Sequence, residues 1–441
     1  MRLLVLAILL LLASLALGFG LLAYALYSLL GVILLGRLLA DRWSSALVAR
    51  REVSHRQVEL GDTVAVVVTI ENRYWLPIPW LLLEDLLPRQ ALIHDPPNLQ
   101  VTGRRLQLAS LRPMLHGRKA TKTIYYQLTC NRRGYYQLGP LVVETGDLFG
   151  LYRRFRILSE PNYLLAYPKV IPLLGYDIAS RRPIGEVRMS HRLYEDPTRI
   201  NGVRNYQAGD PLNRIHWQAT ARTGLLQSKV YEPSSIAGAT LLVDFHQHSF
   251  DPRHEPFRSE LAITAAASIA AALVEMGQQV GLVSNGRDAA DRIRSQGWQH
   301  EQILNRQVAQ TTAAMRESSD RLQPVVVPIR HDHTGWMQIL ETLARLEKTD
   351  GLTCGQLIGE TTSRLPRSAT IVALLTAVSP QTAIALGNLH RRGYAVTAIL
   401  NMYDPQEFAE QSAPLLAERI TTRQLVDEKS IPTLLTDCML R

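Results

Sequence analysis

A carboxylate and two imidazoles stand at the end of an apolar run. Thr240–Phe245 reads as a buried strand and leads into Asp244-Phe-His246-Gln-His248. Side chains of these types converging at one strand end suit Zn²⁺ or another transition metal, whereas Mg²⁺ wants oxygen ligands. His331-Asp332-His333, immediately before Thr334, can approach the same crevice. Hydrolytic chemistry there would further need an open coordination position and a placed base. The competing reading is a set of solvated loop histidines with no ligand.

The densest segment is Arg204-Asn-Tyr206-Gln-Ala-Gly209-Asp210-Pro-Leu-Asn-Arg214-Ile-His216-Trp217-Gln-Ala-Thr220-Ala-Arg222. Asp210 followed by Pro211 reads as a helix start, because an Asp carboxylate accepts orphan N–H groups and Pro at the first position needs none. Gly209 supplies a positive φ before the cap, and Gly224 is the left-handed stop. Leu212, Ile215 and Ala219 follow helical spacing toward a core, while Arg214, Gln218 and Arg222 share another face. One reading is an Arg-Trp surface presented to an anionic ligand or a partner protein. The other pairs the arginines with the protein's own carboxylates and buries the indole. Trp217 is expected to be structural, since Trp is highly buried on average, and Arg214 or Arg222 to lie at the surface.

Several elements must position these residues. From residue 236 to 441, strands alternate with helices: Thr240–Phe245, Leu261–Met276, Val280–Ser284, Trp336–Glu347, Thr370–Leu375, Thr382–Arg391 and Tyr394–Leu400. Such alternation predicts a doubly wound parallel sheet, which binds ligands beyond the carboxyl ends of its strands. The polar stretch from Asp288 to Gln323 reads as an insertion, part helix and part loop. Residues 50–165 carry short strands (Val64–Ile70, Leu81–Leu83, Tyr125–Thr129, Leu141–Thr145) with Gly/Pro punctuation, which predicts an all-β sandwich, an interaction or spacer module. Residues 166–235 form a linking segment that holds the Arg204–Arg222 motif.

No charge occurs from Leu3 to Gly36. One helix of that length would span ~50 Å, beyond a ~30 Å hydrocarbon core. The run is therefore expected to break at Gly18–Gly20 into Leu3–Leu17 and Leu21–Leu35, a transmembrane hairpin within residues 1–40. Arg2 precedes the run, and Arg37, Arg42, Arg50 and Arg51 follow it, which by the positive-inside rule places both ends in the cytoplasm. A single span with an external body and a cleaved signal peptide are the competing arrangements.

The chain of 441 residues has a formal net charge of +9, 46% hydrophobic and 20% charged residues. Length predicts two or three domains. Cys130, Cys354 and Cys438 are odd in number and widely spaced, which excludes a disulfide framework and zinc-type pairs. A nucleic-acid site would interleave basic and aromatic residues on one face, and only Tyr135-Tyr136 beside Arg132-Arg133 hints at that. Phosphate-binding loops, Gly-x-Ser-x-Gly and His-Glu-x-x-His are absent from the sequence.

The spacing of Arg204, Tyr206, Gly209, Asp210, Arg214, His216, Trp217, Thr220 and Arg222 resembles the signature of a membrane-anchored bacterial family, the domain-of-unknown-function family fifty-eight. Arg133-Gly134-Tyr135-Tyr136-Gln-Leu138-Gly139-Pro140 with Asp147-Leu-Phe149-Gly150-Leu151 resembles its second motif. The likeness covers roughly residues 50–400. It implies a von Willebrand factor A-like α/β domain and an adaptor or assembly role with a MoxR-type AAA+ ATPase and other A-domain proteins. Such domains often carry a metal-ion-dependent adhesion site, Asp-x-Ser-x-Ser plus a later Thr and Asp. Here Asp244, His246 and His248 occupy the first element and Thr334 the second, while Ala377 stands where the later Asp belongs. The implied site is degenerate, with no cofactor expected and a divalent metal the open alternative. An interaction protein is therefore expected rather than an enzyme, with a metal-dependent hydrolase on Asp244, His246 and His248 as the rival class.

Overall fold

The computed structural model describes residues 2–85, 92–94, 99–102, 105–108, 120–173, 195–207, 212–233, 238–296, 322–330, 333–366 and 370–434. The chain forms two compact units. One comprises Met1–Lys169, Gly286–Arg321 and Leu340–Asp350; the other comprises Val170–Asn285, Leu322–Ile339 and Gly351–Arg441.

The first unit begins with two apolar helices, α1 (Arg2–Ala16) and α2 (Gly20–Ala46). The break falls where the glycines predict it, with Gly18 at φ 69°. Helix α2 does not stop near Leu35. Nothing from Arg37 to Ala46 breaks a helix, and Trp43 with Leu39 packs into the core of the β-rich part. At 27 residues, α2 is long and apolar enough to cross a membrane.

Among the described residues twelve strands follow: β1 (Leu47–Val53), β2 (Gln57–Val58), β3 (Thr63–Asn72), β4 (Leu81–Asp85), β5 (Leu92–His94), β6 (Leu99–Thr102), β7 (Arg105–Leu108), β8 (Ala120–Thr129), β9 (Gly134–Leu138), β10 (Leu141–Gly146), β11 (Arg153–Ser159) and β12 (Asn162–Ala166). They build sheets ordered β1-β3-β8-β5, β11-β10-β4, β2-β12-β9 and β6-β7. Strand β3 shows why. Val64, Val66, Val68 and Ile70 alternate inward and are fully buried, the period of a half-buried strand. They meet Leu81 and Leu83 of β4, Tyr126 and Leu128 of β8, and Leu141 and Val143 of β10 in one apolar core, the layered arrangement of a sandwich.

The second unit opens with an antiparallel hairpin, β13 (Glu195–Asn205) and β14 (Gln227–Pro233), with the short helix α3 (Trp217–Thr223) between its strands. Then come β15 (Gly238–Val243), α4 (Phe257–Glu275) and β16 (Gln279–Ser284). The next stretch, β17 (Arg287–Asp288) and α5 (Ala289–Gln296), belongs to the first unit, as does β19 (Leu346–Glu347), which pairs with β17. Strand β18 (Val325–Arg330) and helix α6 (His333–Arg345) precede β19. The remainder is α7 (Cys354–Thr361), β20 (Thr370–Leu375), α8 (Pro380–Arg391), β21 (Ala395–Asn401), α9 (Pro405–Ala417) and β22 (Thr421–Leu425).

These strands form a six-stranded sheet ordered β18-β16-β15-β20-β21-β22, parallel except for the β16–β18 pair. The first strand is central, and the winding reverses between β15 and β20, the point where open α/β sheets place ligands. On one face Leu242, Ile371, Ala373, Val396 and Ala398 pack with Leu357 of α7, Leu386 of α8 and Leu415 of α9. The Ala-rich α4 packs against β15, β16 and β21. It too is long and apolar enough for a span, but 78% of its apolar window is buried, which makes it a core helix.

Candidate functional site

Asp244 follows the last residue of β15 and its backbone N–H donates to the Leu374 carbonyl of β20 at 3.0 Å. The side chain therefore enters at the reversal of the sheet and is buried. Its Oδ1 accepts from Asn285 Nδ2 at 2.8 Å and from the His246 N–H at 3.2 Å, and its Oδ2 accepts from Ser249 Oγ at 2.7 Å. Asn285 follows β16 in the same way. Its Oδ1 accepts the Phe245 N–H at 2.6 Å, and its Nδ2 also donates to the Leu352 carbonyl at 2.9 Å. Burial pushes the Asp244 carboxyl above its ordinary value, against the lowering effect of the donors from Asn285, Ser249 and His246.

Cys354, the first residue of α7, is buried close by. Burial, with the Asp244 charge adding to it, pushes its thiol well above the ordinary range, so it stays protonated and inert as a nucleophile. Thr382 of α8 hydrogen-bonds the thiol and, in turn, Ser379 Oγ at 2.9 Å. The carboxyl end of the sheet is thus a wired polar cluster of Asp244, Asn285, Ser249, Cys354 and Thr382.

The two histidines do not join Asp244 as ligands. His246 Nδ1 accepts the His248 N–H at 3.3 Å and caps a short 3₁₀ turn, and His248 is exposed. Among the described residues no group of three or more His, Cys, Asp or Glu is placed to hold a metal ion. Thr334 is exposed at the start of α6; His331 and Asp332 lie outside the described residues. Sequence reasoning missed Asn285 and Ser249. The available signal for Asn285 was a polar residue directly after the apolar run Val280–Ser284, at the end of a strand beside Asp244.

The described residues of the Arg204–Arg222 segment run from the end of β13 into α3, between the two strands of the hairpin. Arg204 pairs in register with Ser228, and the Tyr206 N–H donates to the Leu226 carbonyl at 2.9 Å. The helix starts later than the sequence predicts. Gly209, Asp210 and Pro211 lie outside the described residues, Leu212–Arg214 is a 3₁₀ turn, and α3 is capped by His216, whose Nδ1 accepts the Ala219 N–H at 3.1 Å. Gly224 ends it at φ 70°, as expected. Thr220 Oγ1 accepts the Gln227 N–H at 3.1 Å and ties α3 to β14. Ile215 is buried as expected.

The expectation that Trp217 packs internally is overturned: it is 67% exposed. Helix α3 is two turns long, and its contacts with β14 are made through Thr220, so the indole at its first position faces solvent. Leu212, expected to face a core, is 72% exposed, and Leu225 is 63% exposed. Arg222 is exposed, as anticipated.

The first part of the second motif, Arg133–Tyr136, serves the fold. Arg133 Nη1 donates to the carbonyls of Leu343 at 2.6 Å and Leu346 at 2.9 Å, satisfying the C-terminal end of α6. Tyr136 folds back so that its hydroxyl donates to the Arg132 carbonyl at 2.7 Å, and a Cβ at Gly134 would lie 3.0 Å from that ring. Tyr135 stacks on Tyr163 at 5.3 Å. The aromatic residues beside Arg132 and Arg133 therefore serve the fold.

With this geometry in hand, the likeness to known proteins can be placed. The profile of the family described as protein of unknown function DUF58 matches residues 202–360, with the Arg204–Arg222 segment near the start of the match. It is similar to the uncharacterized protein YeaD of Bacillus subtilis (strain 168), 26% identical over 287 residues, which are 64% of this chain and 67% of that protein. Among solved structures, the CARDB domain of the PF1109 protein from Pyrococcus furiosus is 14% identical with a TM-score of 0.18, over 27% of this chain and 86% of that one. A cohesin module of a Clostridium perfringens family 33 glycoside hydrolase is 12% identical with a TM-score of 0.20, over 27% of this chain and 96% of that one. Proximal thread matrix protein 1 from the mussel byssus is 12% identical with a TM-score of 0.29, over 45% of this chain and 46% of that one.

Proposed function

We propose that this chain is a membrane-anchored interaction protein. The apolar helices α1 and α2 anchor it, the β-rich unit stands next to the bilayer, and the α/β unit engages protein partners. The α/β unit is read as von Willebrand factor A-like. Its strand order, its antiparallel edge strand β18 and Asp244 at the end of the central strand support that reading. The partner class implied by the family resemblance is a MoxR-type AAA+ ATPase. The basic flanks of the apolar run favour a cytoplasmic body, where such an ATPase resides.

The observation that carries the reading is the solvent-facing apolar surface of the signature. Trp217, Leu212, Leu225 and Leu226 are all exposed within one short segment, with Arg222 beside them. Trp and Arg are the residue types that most often dominate interface energetics, and a cluster of large exposed apolar residues marks interaction surfaces. Asp244 supports the same view. Its oxygens are taken up by Asn285, Ser249 and the His246 backbone, a positioning role for the loops around it.

The test is capture of a MoxR-type AAA+ ATPase from native membranes by the full chain and by Trp217→Ala. Because the indole is exposed, the substitution should change stability by less than ~0.5 kcal/mol. It should weaken association at least roughly tenfold, the loss expected for an interface anchor. Equal capture by both chains would remove the signature surface from the interface, and no capture by either would remove the ATPase. A cysteine placed at exposed Leu60 should be protected from an impermeant thiol reagent in intact cells; labelling there would put the body outside.

A further inference from the structure

One exposed apolar feature lies far from the signature in sequence and belongs to the first unit. Between β10 and β11 the chain turns through Asp147-Leu148-Phe149-Gly150-Leu151-Tyr152. Leu148, Phe149 and Leu151 are 73%, 70% and 50% exposed. The turn is nonetheless built firmly. Asp147 Oδ1 accepts the Tyr152 N–H at 2.7 Å, the Trp80 indole N–H donates to the Asp147 carbonyl at 2.9 Å, and Gly150 takes φ 69°. The apolar side chains at the tip thus project from a braced loop.

The direction of the tip is set by α2, along which the hairpin runs. Arg156 Nη1 donates to the Ser45 carbonyl at 2.8 Å, Arg154 pairs with Asp41, and a Cβ at Gly36 would lie 3.2 Å from the Asp147 Cβ. Going from β11 back to the tip, the contacts climb α2 from Ser45 to Asp41 to Gly36. The last interval is about 7.5 Å at 1.5 Å per residue. Gly36 is the final residue of the uncharged run that begins at Leu3, and Arg37 is the first charge after it. Leu148 and Phe149 lie beyond Asp147 and so reach the level of the last apolar turn of α2. Arg37 and Arg42 follow that level along α2, Arg37 acts on Asp41, and Arg154 and Arg153 of β11 pair with Asp41 and Glu144.

We propose that the Leu148–Leu151 tip inserts into the bilayer interface beside α2, as a second attachment point that fixes the orientation of the β-rich unit on an anionic membrane. The proposal rests on the reading that α1 and α2 lie in the membrane. The occupant is lipid because the apolar tip is continuous with the apolar surface of α2, where Val32, Leu34 and Leu35 are also exposed, and because a basic collar meets it at headgroup level. An arginine collar below an apolar wedge is the charge order of an interfacial anchor.

The experiment uses the full chain reconstituted in phosphatidylcholine–phosphatidylglycerol vesicles. Cys438 is replaced by Ser, and the buried Cys130 and Cys354 are left in place. Single cysteines at Phe149, at Leu29 in α2 and at Leu60 in the turn before β3 carry an environment-sensitive fluorophore. Lipid with a nitroxide high on the acyl chain should quench the labels at 149 and 29 at least about twofold and leave the label at 60 unchanged. Quenching at 29 without quenching at 149 overturns the proposal while the anchor stands. No quenching at 29 overturns the membrane reading and the proposal with it. A label at 149 that is shielded from water but not quenched places protein on the tip and also overturns the proposal.

Discussion

In the β-rich unit the buried carboxylate of Asp85 is clamped by a guanidinium, whereas in the α/β unit the buried carboxylate of Asp244 is held by neutral hydrogen-bond donors, with His246 as a weaker favourable charge. Arg51 holds Asp85 through two nitrogens, and Tyr126 donates its hydroxyl to the same carboxylate. The guanidinium also reaches the Leu138 carbonyl at 2.9 Å, and a Cβ at Gly139 would strike it at 2.4 Å, which explains a glycine at φ 93° there. Strands β1, β4, β8 and β9 are thereby tied at one point. Asp244 is held instead by an amide, a hydroxyl and a backbone N–H. A carboxylate buried without a cation is expensive to hold ionised. One carboxylate clamps a core, and the other sets the loops at the carboxyl end of a sheet.

The comparison can be broken by removing each carboxylate in turn. Asp85→Ala leaves Arg51 buried and uncompensated, and should destabilise the β-rich unit by about 3–5 kcal/mol. Replacing both partners together with apolar residues of similar volume should recover most of that loss. Hydrogen-exchange protection of the β3 and β8 amides reports the effect unit by unit. Asp244→Ala leaves only neutral donors unsatisfied and should cost about 1–3 kcal/mol, read from the β15 and β16 amides. An Asp244 effect exceeding that of Asp85 would reverse the ranking and assign Asp244 the heavier structural role.

A pH series adds to the comparison, because burial raises both carboxyls, Asp85 against the Arg51 charge and Asp244 against its hydrogen-bond donors. Burial raises the Asp244 carboxyl above 3.8, so the native state keeps its proton where the unfolded chain has lost it. The stability Asp244 contributes is fully present below 3.8 and falls as pH rises through the raised native value. The cost of Asp244→Ala should therefore shrink as pH rises from about 4. A cost that grows over that window would mean the carboxylate is ionised and stabilised by a cation.

The sequence made the skeleton legible where apolar periodicity was strong. Thr370–Leu375 is predicted and observed with the same bounds, and β3, α4, α8 and β21 shift by a few residues. What escaped has physical causes. Strand β22, Thr421–Leu425, is a polar edge strand with only Leu425 fully buried, so it shows no alternation. Helix α9 contains Pro414, which reads as a break. Linear reading also kept residues 286–350 with the α/β region, whereas Gly286–Arg321 and Leu340–Asp350 cluster with the first unit, through long-range contacts such as Arg133 to the Leu343 and Leu346 carbonyls. At the site, Asp244 was legible from its place after an apolar strand. The pairing with Asn285 was not, because that residue comes 41 positions later and only the sheet order brings the two strand ends together. Trp217 was misread because an average tendency to burial says nothing about a two-turn helix lying on a hairpin.

The two buried thiols extend the same comparison to a smaller effect. Cys354 feels burial and the Asp244 charge, and Cys130 in the β-rich core feels burial and the Asp62 charge. Burial and that carboxylate raise the Cys130 thiol from 9.0 to about 11. The native state thus holds the proton across a window in which the unfolded chain releases it. Stability from this group is fully present below 9.0 and is lost as pH rises through about 11. Cys130→Val removes the titration, and its packing difference from the wild type is common to every pH. The wild-type β-rich unit should lose on the order of 1 kcal/mol more than Cys130→Val across that window, allowing for solvent screening. The readout is the difference in urea midpoints between the two chains at pH values on either side of the window, since other titrating groups are common to both. A constant difference would mean that Cys130 deprotonates as readily in the folded core as in the unfolded chain, and that water or an unrecognised donor reaches its sulfur.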